Sequence, residues 1–456
     1  MLDNNQTKKA YGHAVVIGGS ISGLLAARVL ADQFESVTII ERGKQPLEPK
    51  VRKQVPQGYH AHLLLKSGEL ILQDLFPDLV TEMKAEGSVT VDSSADLSWF
   101  HHGYWKIKYH SHLRVLTQSR PFLEWHIHRK VSDLDNVIFR YETRATQFIT
   151  TSDKTKIIGV ELHNRHTNKV SENLDTDLLV DASGFGTQTP KLLQELGYTA
   201  PKETSVHIGL NYTSYVYECT TSNHDWKSLI IYPRAPQQNR GGCLLTIENN
   251  RYLLTLVSYL DDEKPRNYTE FLDFAKSLPH PEIYNFIKNL TPTSDLSSYY
   301  IPKTVRRHYE KLDNFPDGLV VMGDANCRFD PIFGQGMSVA AKEAVDLGRM
   351  LAARAKRQSS PNVNGLAKPF HQQVARIIST PWLLATAEAY RYPQIEGKRP
   401  FGMKFLHTYT AWIFALSSTD KQVHESFMNV LHLLKEPIAL FKPSILWKVL
   451  LYKIKS

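Results

Sequence analysis

The chain has 456 residues, 42% of them hydrophobic, which suffices to bury a large core and predicts two or three domains rather than one. Its formal net charge is +8, but the 54 Lys and Arg are dispersed and no groove-reading motif accompanies them, which argues against nucleic acid as a partner. Cys219, Cys243 and Cys327 have neither disulfide nor metal-ligand spacing, no run reaches the roughly 18 apolar residues of a membrane span, and the polar start lacks a signal-peptide core; a cytoplasmic chain with core cysteines is expected.

In chain order, His13 to Ile17 reads as a short buried strand, Gly18-Gly19-Ser20-Ile21-Ser22-Gly23 as a tight turn, Leu24 to Phe34 as a helix, and Ser36 to Glu41 as a second strand. The turn nearly spells the dinucleotide fingerprint G-x-G-x-x-G, with Ser20 in place of the second glycine. Strand, glycine turn, helix, strand is the setting in which that pattern carries meaning. Gly18 supplies the turn, Gly23 lets the helix lie against the strand, and the helix N-terminus offers free amides and a positive dipole end to a pyrophosphate. Ser20 is expected to donate its hydroxyl to a phosphate oxygen. Glu41, 18 residues past Gly23 and followed by Arg42, stands where a carboxylate meets ribose hydroxyls and disfavours a 2′-phosphate.

Asp177 to Gly186 (DLLVDASGFG) and Gly318 to Ala325 (GLVVMGDA) are two further apolar strands, each expected to end at an aspartate, Asp181 and Asp324, where α/β sheets bind ligands. Between them, Ser205 to Leu260 alternates as antiparallel strands, with Glu248-Asn249-Asn250-Arg251 as a hairpin turn. After about residue 345 the pattern is helical, broken by prolines that include Pro381. From Lys421 to Ser456, six lysines and two glutamates are interleaved with Leu446, Trp447, Val449, Leu450, Leu451 and Ile454. The expected form is a terminal helix that packs its apolar stripe on the body of the protein; the alternative is an interfacial segment in weak contact with a membrane surface.

The segment Val320 to Ala344 (VVMGDANCRFDPIFGQGMSVAAKEA) puts Asp324 at a strand end, Pro331 in a loop and Gly334-Gln335-Gly336-Met337 at the opening of a small-residue helix. It resembles the second FAD motif, G-D-A followed by P-x-x-G-Q-G, of flavoprotein monooxygenases of the para-hydroxybenzoate hydroxylase fold. Val51 to Leu64, Leu116 to Ile127, Asp181 to Tyr198 and Phe427 to Pro443 extend the likeness toward a bacterial subgroup that includes polyether-type alkene epoxidases. Pattern and resemblance together give an α/β chain. A Rossmann-like, glutathione reductase-type FAD domain takes residues 1–90, 110–200 and 300–365, an inserted antiparallel β substrate domain takes 91–109 and 201–299, and a helical C-terminal region takes 366–456.

The resemblance implies roles for particular residues. Gly18, Gly19, Ser20, Ser22, Gly23, Glu41 and Arg42 hold the adenosine half of FAD, while Arg52 and Arg120 contact the ribityl chain or phosphates. Asp324 binds the ribityl chain, and the helix behind Pro331 and Gly334 to Met337 aims its amides at the pyrimidine edge, where reduced flavin is negative. Asp181 and Gly184 correspond to the middle motif. DASG departs there from the A-D-G-x-x-S form, which bears on whether NAD(P)H reduces the flavin directly or through a separate flavin reductase.

His60 and His62 have no third ligand spaced with them, so no metal is expected. They are expected instead to begin a helix near the flavin and, with Asp330, are the candidate catalytic residues. Asp330 and Arg328 read as a charge pair beside the isoalloxazine, and Trp99, Phe100, Trp105 and Tyr212 as candidate aromatic lining. The implied activity is FAD-dependent transfer of one oxygen atom of O2 to a small apolar alkene in secondary metabolism, since no triad, paired carboxylates or phenol-ionising base is readable. Aromatic hydroxylation, halogenation and oxygen-independent isoprenoid reduction or cyclisation are the alternatives on this fold.

Overall fold

The computed structural model describes residues 9–164, 170–218 and 224–455; Cys219 lies outside the described residues. Five parallel strands form one sheet in the order Leu319–Val321, Leu178–Asp181, Tyr11–Ile17, Phe34–Ile40, Val137–Arg140. Successive side chains point to opposite faces, so both faces of a covered parallel sheet must be apolar. Val16, Ile39, Val180 and Val320 pack on the helices Ile21–Ala31 and Gly336–Arg357. Val15, Ile40, Leu179, Leu319 and Val321 pack under a three-stranded antiparallel sheet of Thr143–Thr150, Ile157–Asn164 and Val170–Asp175.

The fingerprint helix starts at Ile21, directly after the extended Ser20, and ends at Ala31. Phe34 therefore opens the next strand instead of closing the helix, and its fully buried ring stacks on Tyr11 at 5.0 Å.

A larger, eight-stranded sheet runs Cys327–Arg328, Ser297–Arg307, Glu203–Glu218, Arg251–Ser258, Arg240–Ile247, Ser228–Ile231, Leu97–His101, Tyr104–Trp105. Asn249 and Asn250 sit at φ 62° and 55° in the three-residue loop 248–250 joining its central hairpin, left-handed positions that asparagine tolerates better than most residues. The boundary expected between residues 299 and 300 falls inside Ser297–Arg307, because that strand pairs along its length with Glu203–Ser214. Leu229, Ile231, Leu244, Leu254 and Leu256 face outward under the helices Tyr268–Lys276 and Glu282–Ile287. Their neighbours Ile230, Leu245 and Val257 face the other way, into a cavity between the two large sheets.

Four helices follow the long helix: Ala367–Ala389, Met403–Leu416, Lys421–Leu431 and Pro443–Lys455. Pro381 lies within the first of these without ending it; the helix forgoes one backbone hydrogen bond there and continues. The expected packing of the terminal helix holds only in part: Ile445 and Val449 join a core cluster, with Tyr452 packed against it. Only Ile445 and Val449 of its apolar residues are buried, and Leu446, Trp447, Leu450, Leu451 and Ile454 are exposed. Among the described residues, no helix is long and apolar enough to cross a membrane.

Candidate active site

The glycine turn is built as its residue types dictate. Gly18 has φ +106°, and a Cβ there would lie 2.5 Å from the Ala182 carbonyl oxygen; a Cβ on Gly23 would lie 1.8 Å from the Gly18 oxygen. Ser20 keeps an ordinary φ of −100°, but its hydroxyl does not await a phosphate: it donates to Glu124 at 2.6 Å and accepts from Arg120 at 3.0 Å. Glu124, absent from the sequence-derived set, also accepts from Arg52 Nε at 2.9 Å. Its one legible signal was the i,i+4 spacing from Arg120 on the helix Arg120–Ser132. Arg52 reaches Glu41 at 3.2 Å and the Gly19 carbonyl at 3.3 Å. It thus braces the turn from behind and does not line the cavity, contrary to the expected flavin contact. Glu41 accepts from the amides of Gly19 (2.9 Å) and Gly43 (2.6 Å). With Arg52 these occupy three of the about four acceptor positions a carboxylate offers, leaving room for a hydroxyl donor.

From this turn a cavity of about 960 Å³ runs past Glu41, Arg42, Arg120 and Asp324 to Gly334–Met337, and on beneath the eight-stranded sheet. Every expected cofactor contact except Gly23 and Arg52 lines it, Gly19, Ser22, Gly184 and Pro331 included. Asp324 lies in the 3₁₀ turn Gly323–Ala325, past the strand end at Val321 where it was expected, and opens to the cavity. Its surroundings in the protein interior raise its pKa, against the fields of Arg328, Arg120 and Arg307. Asp181 is committed to its own loop: it accepts from Ser183 N (2.9 Å), Ser183 Oγ (2.6 Å), Thr189 Oγ1 (2.6 Å) and Thr187 Oγ1, so it shapes the DASG segment instead of offering a free carboxylate.

The histidines do not begin a helix. Residues 60–65 are irregular, with the Ala61 amide donating to Thr255 Oγ1 at 2.7 Å, and the helix starts at Lys66. His60 sits behind the cavity wall, its Nδ1 2.7 Å from Ser214 Oγ and its ring against Tyr212 and Tyr299. His62 lines the wall, with Nδ1 2.8 Å from the His60 carbonyl. Burial pushes their pKa values down to about 3 and about 4, so both are neutral at neutral pH. Among the described residues no three His, Cys, Asp or Glu side chains group as metal ligands.

Asp330 and Arg328 do not pair. The Arg328 guanidinium lies over the Phe185 ring at 4.4 Å and donates to Tyr299 Oη at 3.3 Å. Asp330 points away, buried, accepting from the Ile332 amide at 3.0 Å and from the Tyr259 hydroxyl at 3.0 Å. Burial raises its pKa to about 7. Asp330 itself is outside the cavity wall, but Tyr259 is in it. Of the four aromatics expected to line the site, Trp99 and Tyr212 do; Phe100 and Trp105 pack on each other and on His280 instead. Tyr232, Tyr259 and Tyr299 line it unanticipated, though each lies two residues from an apolar lining residue, at the strand period. Cys243 lines the cavity as well, half-buried, with burial pushing its thiol up to about 12; Cys327 is buried in the core as expected.

A carboxyl whose pKa rises on folding supports the fold fully below its unfolded value and loses that support as pH climbs through the folded value. For Asp330 the window runs from about 4 to about 7. Glu343, which accepts from the Gly323 amide and is raised by burial to about 8, acts in the same direction. Asp330→Asn is therefore expected to flatten the decline in melting temperature up to about pH 7 while leaving the Glu343 share above it. Thermal melts across that range check this; an unchanged slope would mean that Asp330 titrates normally.

The architecture matches solved structures at low identity. Flavin-dependent brominase Bmp2 superposes with a TM-score of 0.65 at 18% identity, covering 92% of this chain and 93% of that one. PqsL of Pseudomonas aeruginosa gives 0.61 at 16%, covering 84% and 98%. The p-nitrophenol 4-monooxygenase PnpA of Pseudomonas putida DLL-E4 gives 0.64 at 13%, covering 92% and 97%. The fold is thus that of flavin-dependent monooxygenases, with the cavity between its dinucleotide-type sheet and its inserted sheet. The chain belongs to the family of Protein Rv3254 of Mycobacterium tuberculosis, to which it is 32% identical over 380 residues, covering 82% of this chain and 79% of that protein. No family model matches it.

The residues fit an FAD. Ser22 Oγ and both amide atoms of Gln335 are buried without a protein partner. A Cβ on Gly336 would meet no protein atom within 4 Å, so backbone constraint does not explain that glycine. The long helix begins there with no acidic residue in its first turn, which leaves its free amides and dipole available to an anion or a carbonyl edge.

Proposed function

We propose that this protein is an FAD-dependent monooxygenase that transfers one oxygen atom of O2 to an apolar alkene. The observation that carries the reading is the lining of the cavity's far end. Ile230, Leu245, Val257 and Ile301 come from the eight-stranded sheet and Met428 and Leu431 from the helix Lys421–Leu431, and among the described residues of that sheet that line the cavity only Arg328, stacked over Phe185, carries a charged side chain. FAD, when bound, supplies the activation of oxygen. The protein's part is to bind, orient and exclude water. Glu41 takes the adenosine ribose, Asp324 the ribityl hydroxyls, and the amides at Gly336 and Met337 stabilise negative charge at the pyrimidine edge. Epoxidation asks for no protein base.

One observation favours a second reading, aromatic hydroxylation. Tyr259 stands in the wall with its hydroxyl on a buried carboxyl whose pKa is about 7, so a phenol could pass its proton through Tyr259 to Asp330. Mass spectrometry of products from the FAD-loaded protein with reductant, O2 and a panel of polyenes and phenols separates the two. The expected result is an alkene product heavier by one oxygen atom, formed equally by Tyr259→Phe. Turnover of phenols alone, with loss of the limb near pH 7 in Tyr259→Phe, would establish the second reading instead. Substrate conversion without oxygen uptake would overturn both. Electrons come from NAD(P)H, directly or through a flavin reductase, and rapid anaerobic bleaching by NADPH alone would identify the direct route.

A further inference from the structure

The terminal helix packs one narrow face on the protein and leaves its wider apolar face outside. It buries Ile445 and Val449, while Leu446, Trp447, Leu450, Leu451 and Ile454 are 39 to 72% exposed. Spaced three and four apart, these five form one outward stripe. Lys453 follows Leu450 by three residues on one border; on the other, Lys448 precedes Leu451 by three but is already paired with Asp420 at 2.7 Å, and the helix itself contains no acidic residue. The apolar surface continues beyond it. The ring of Phe405, 62% exposed, stacks on Tyr409, and Tyr409 stacks on Phe441 just before the terminal helix; Ile438 in the same turn is 73% exposed. The stretch 397–419 that leads into and forms the Phe405 helix carries Lys398, Arg399 and Lys404 and again no acid.

We infer that this face is a docking surface for an anionic lipid bilayer, with the terminal helix lying in the interface plane. An outward apolar stripe with Lys453 on its border and Lys398 and Lys404 on the adjoining stretch suits a layer whose acyl boundary takes Trp447, Leu450, Leu451 and Ile454 while its headgroups neutralise those lysines. A second copy of the chain fits less well, because a two-fold pairing of this face would bring its exposed lysines Lys398, Lys404 and Lys453 against those of the other copy. The helix Lys421–Leu431 in the same layer puts Met428 and Leu431 into the cavity wall, so docking would hold the cavity beside the membrane.

The full chain is tested by co-sedimentation with phosphatidylcholine vesicles containing about one quarter phosphatidylglycerol. Expected is binding about tenfold stronger than to phosphatidylcholine alone, and reversed in about 0.5 M salt. The double variant Leu450→Glu, Leu451→Glu is expected to lose it about tenfold with an unchanged melting curve, since both side chains are exposed. Equal binding to neutral and anionic vesicles would overturn the charge argument. No binding, whether the chain sediments as a monomer or as a dimer that the double variant dissociates, would overturn the inference, the latter in favour of a second copy.

Discussion

Gly23→Ala is expected to destabilise the fold by about 1–3 kcal/mol and to abolish retention of FAD. The added methyl would lie 1.8 Å from the Gly18 oxygen and 3.3 Å from Val16 Cγ1. Neither neighbour can yield cheaply. Gly18 is itself held at φ +106° against Ala182, and Val16 is fully buried in the central strand of the parallel sheet. The helix must therefore move, and with it the free amides that would face a pyrophosphate. Gly336→Ala supplies the contrast. Its methyl meets no protein atom, so stability should change by no more than about 0.5 kcal/mol while FAD affinity falls about tenfold from intrusion on the cavity. Thermal melts with and without FAD, together with a flavin fluorescence titration, separate the two effects. If Gly23→Ala kept the cofactor and Gly336→Ala left its affinity untouched, the cavity would not be the flavin site.

What the sequence disclosed follows from the same distinction. Gly18 and Gly23 were legible because a backbone conformation or a close approach admits no other residue, and four of the five parallel strands were legible because burial on two faces forces continuous apolar runs, whereas the edge strand Val137–Arg140, with Ile138 half exposed, shows no such run. Glu41, Asp324 and Gly334–Met337 were legible because their place relative to strand ends and helix starts fixes where they point. Glu124 was not, since its role depends on Arg52, 72 residues away, and Ser20, 104 away. The Tyr259–Asp330 contact spans 71 residues and was hidden for the same reason. The terminal helix shows a third kind of limit: its amphipathic pattern was plain, but periodicity alone does not say which face meets the protein.

Glu124→Gln is expected to cost about 3–5 kcal/mol, the range for removing one partner from a buried ion pair. Arg52 would retain Glu41 alone, and Arg120 would lose its carboxylate while its side chain is only 10% exposed. Burial works against ionisation of Glu124, yet Arg120 and Arg52 hold its pKa below the ordinary value of 4.5. Its support is therefore complete above that unfolded value and is lost as pH falls through the lowered folded one. The wild-type chain should lose stability on the acid side more steeply than Glu124→Gln, while Asp330 and Glu343 govern the opposite limb. Urea unfolding at a series of pH values reads both. Replacing the pair together, Arg120→Met with Glu124→Leu, should recover part of the loss because no charge is then left unpaired, and a double-mutant cycle measures the coupling. That double variant also divides two roles of Arg120. If it folds like the wild type but binds FAD weakly, Arg120 serves the cofactor as well as the fold; if it binds FAD normally, the four-charge cluster exists to hold the glycine turn in shape.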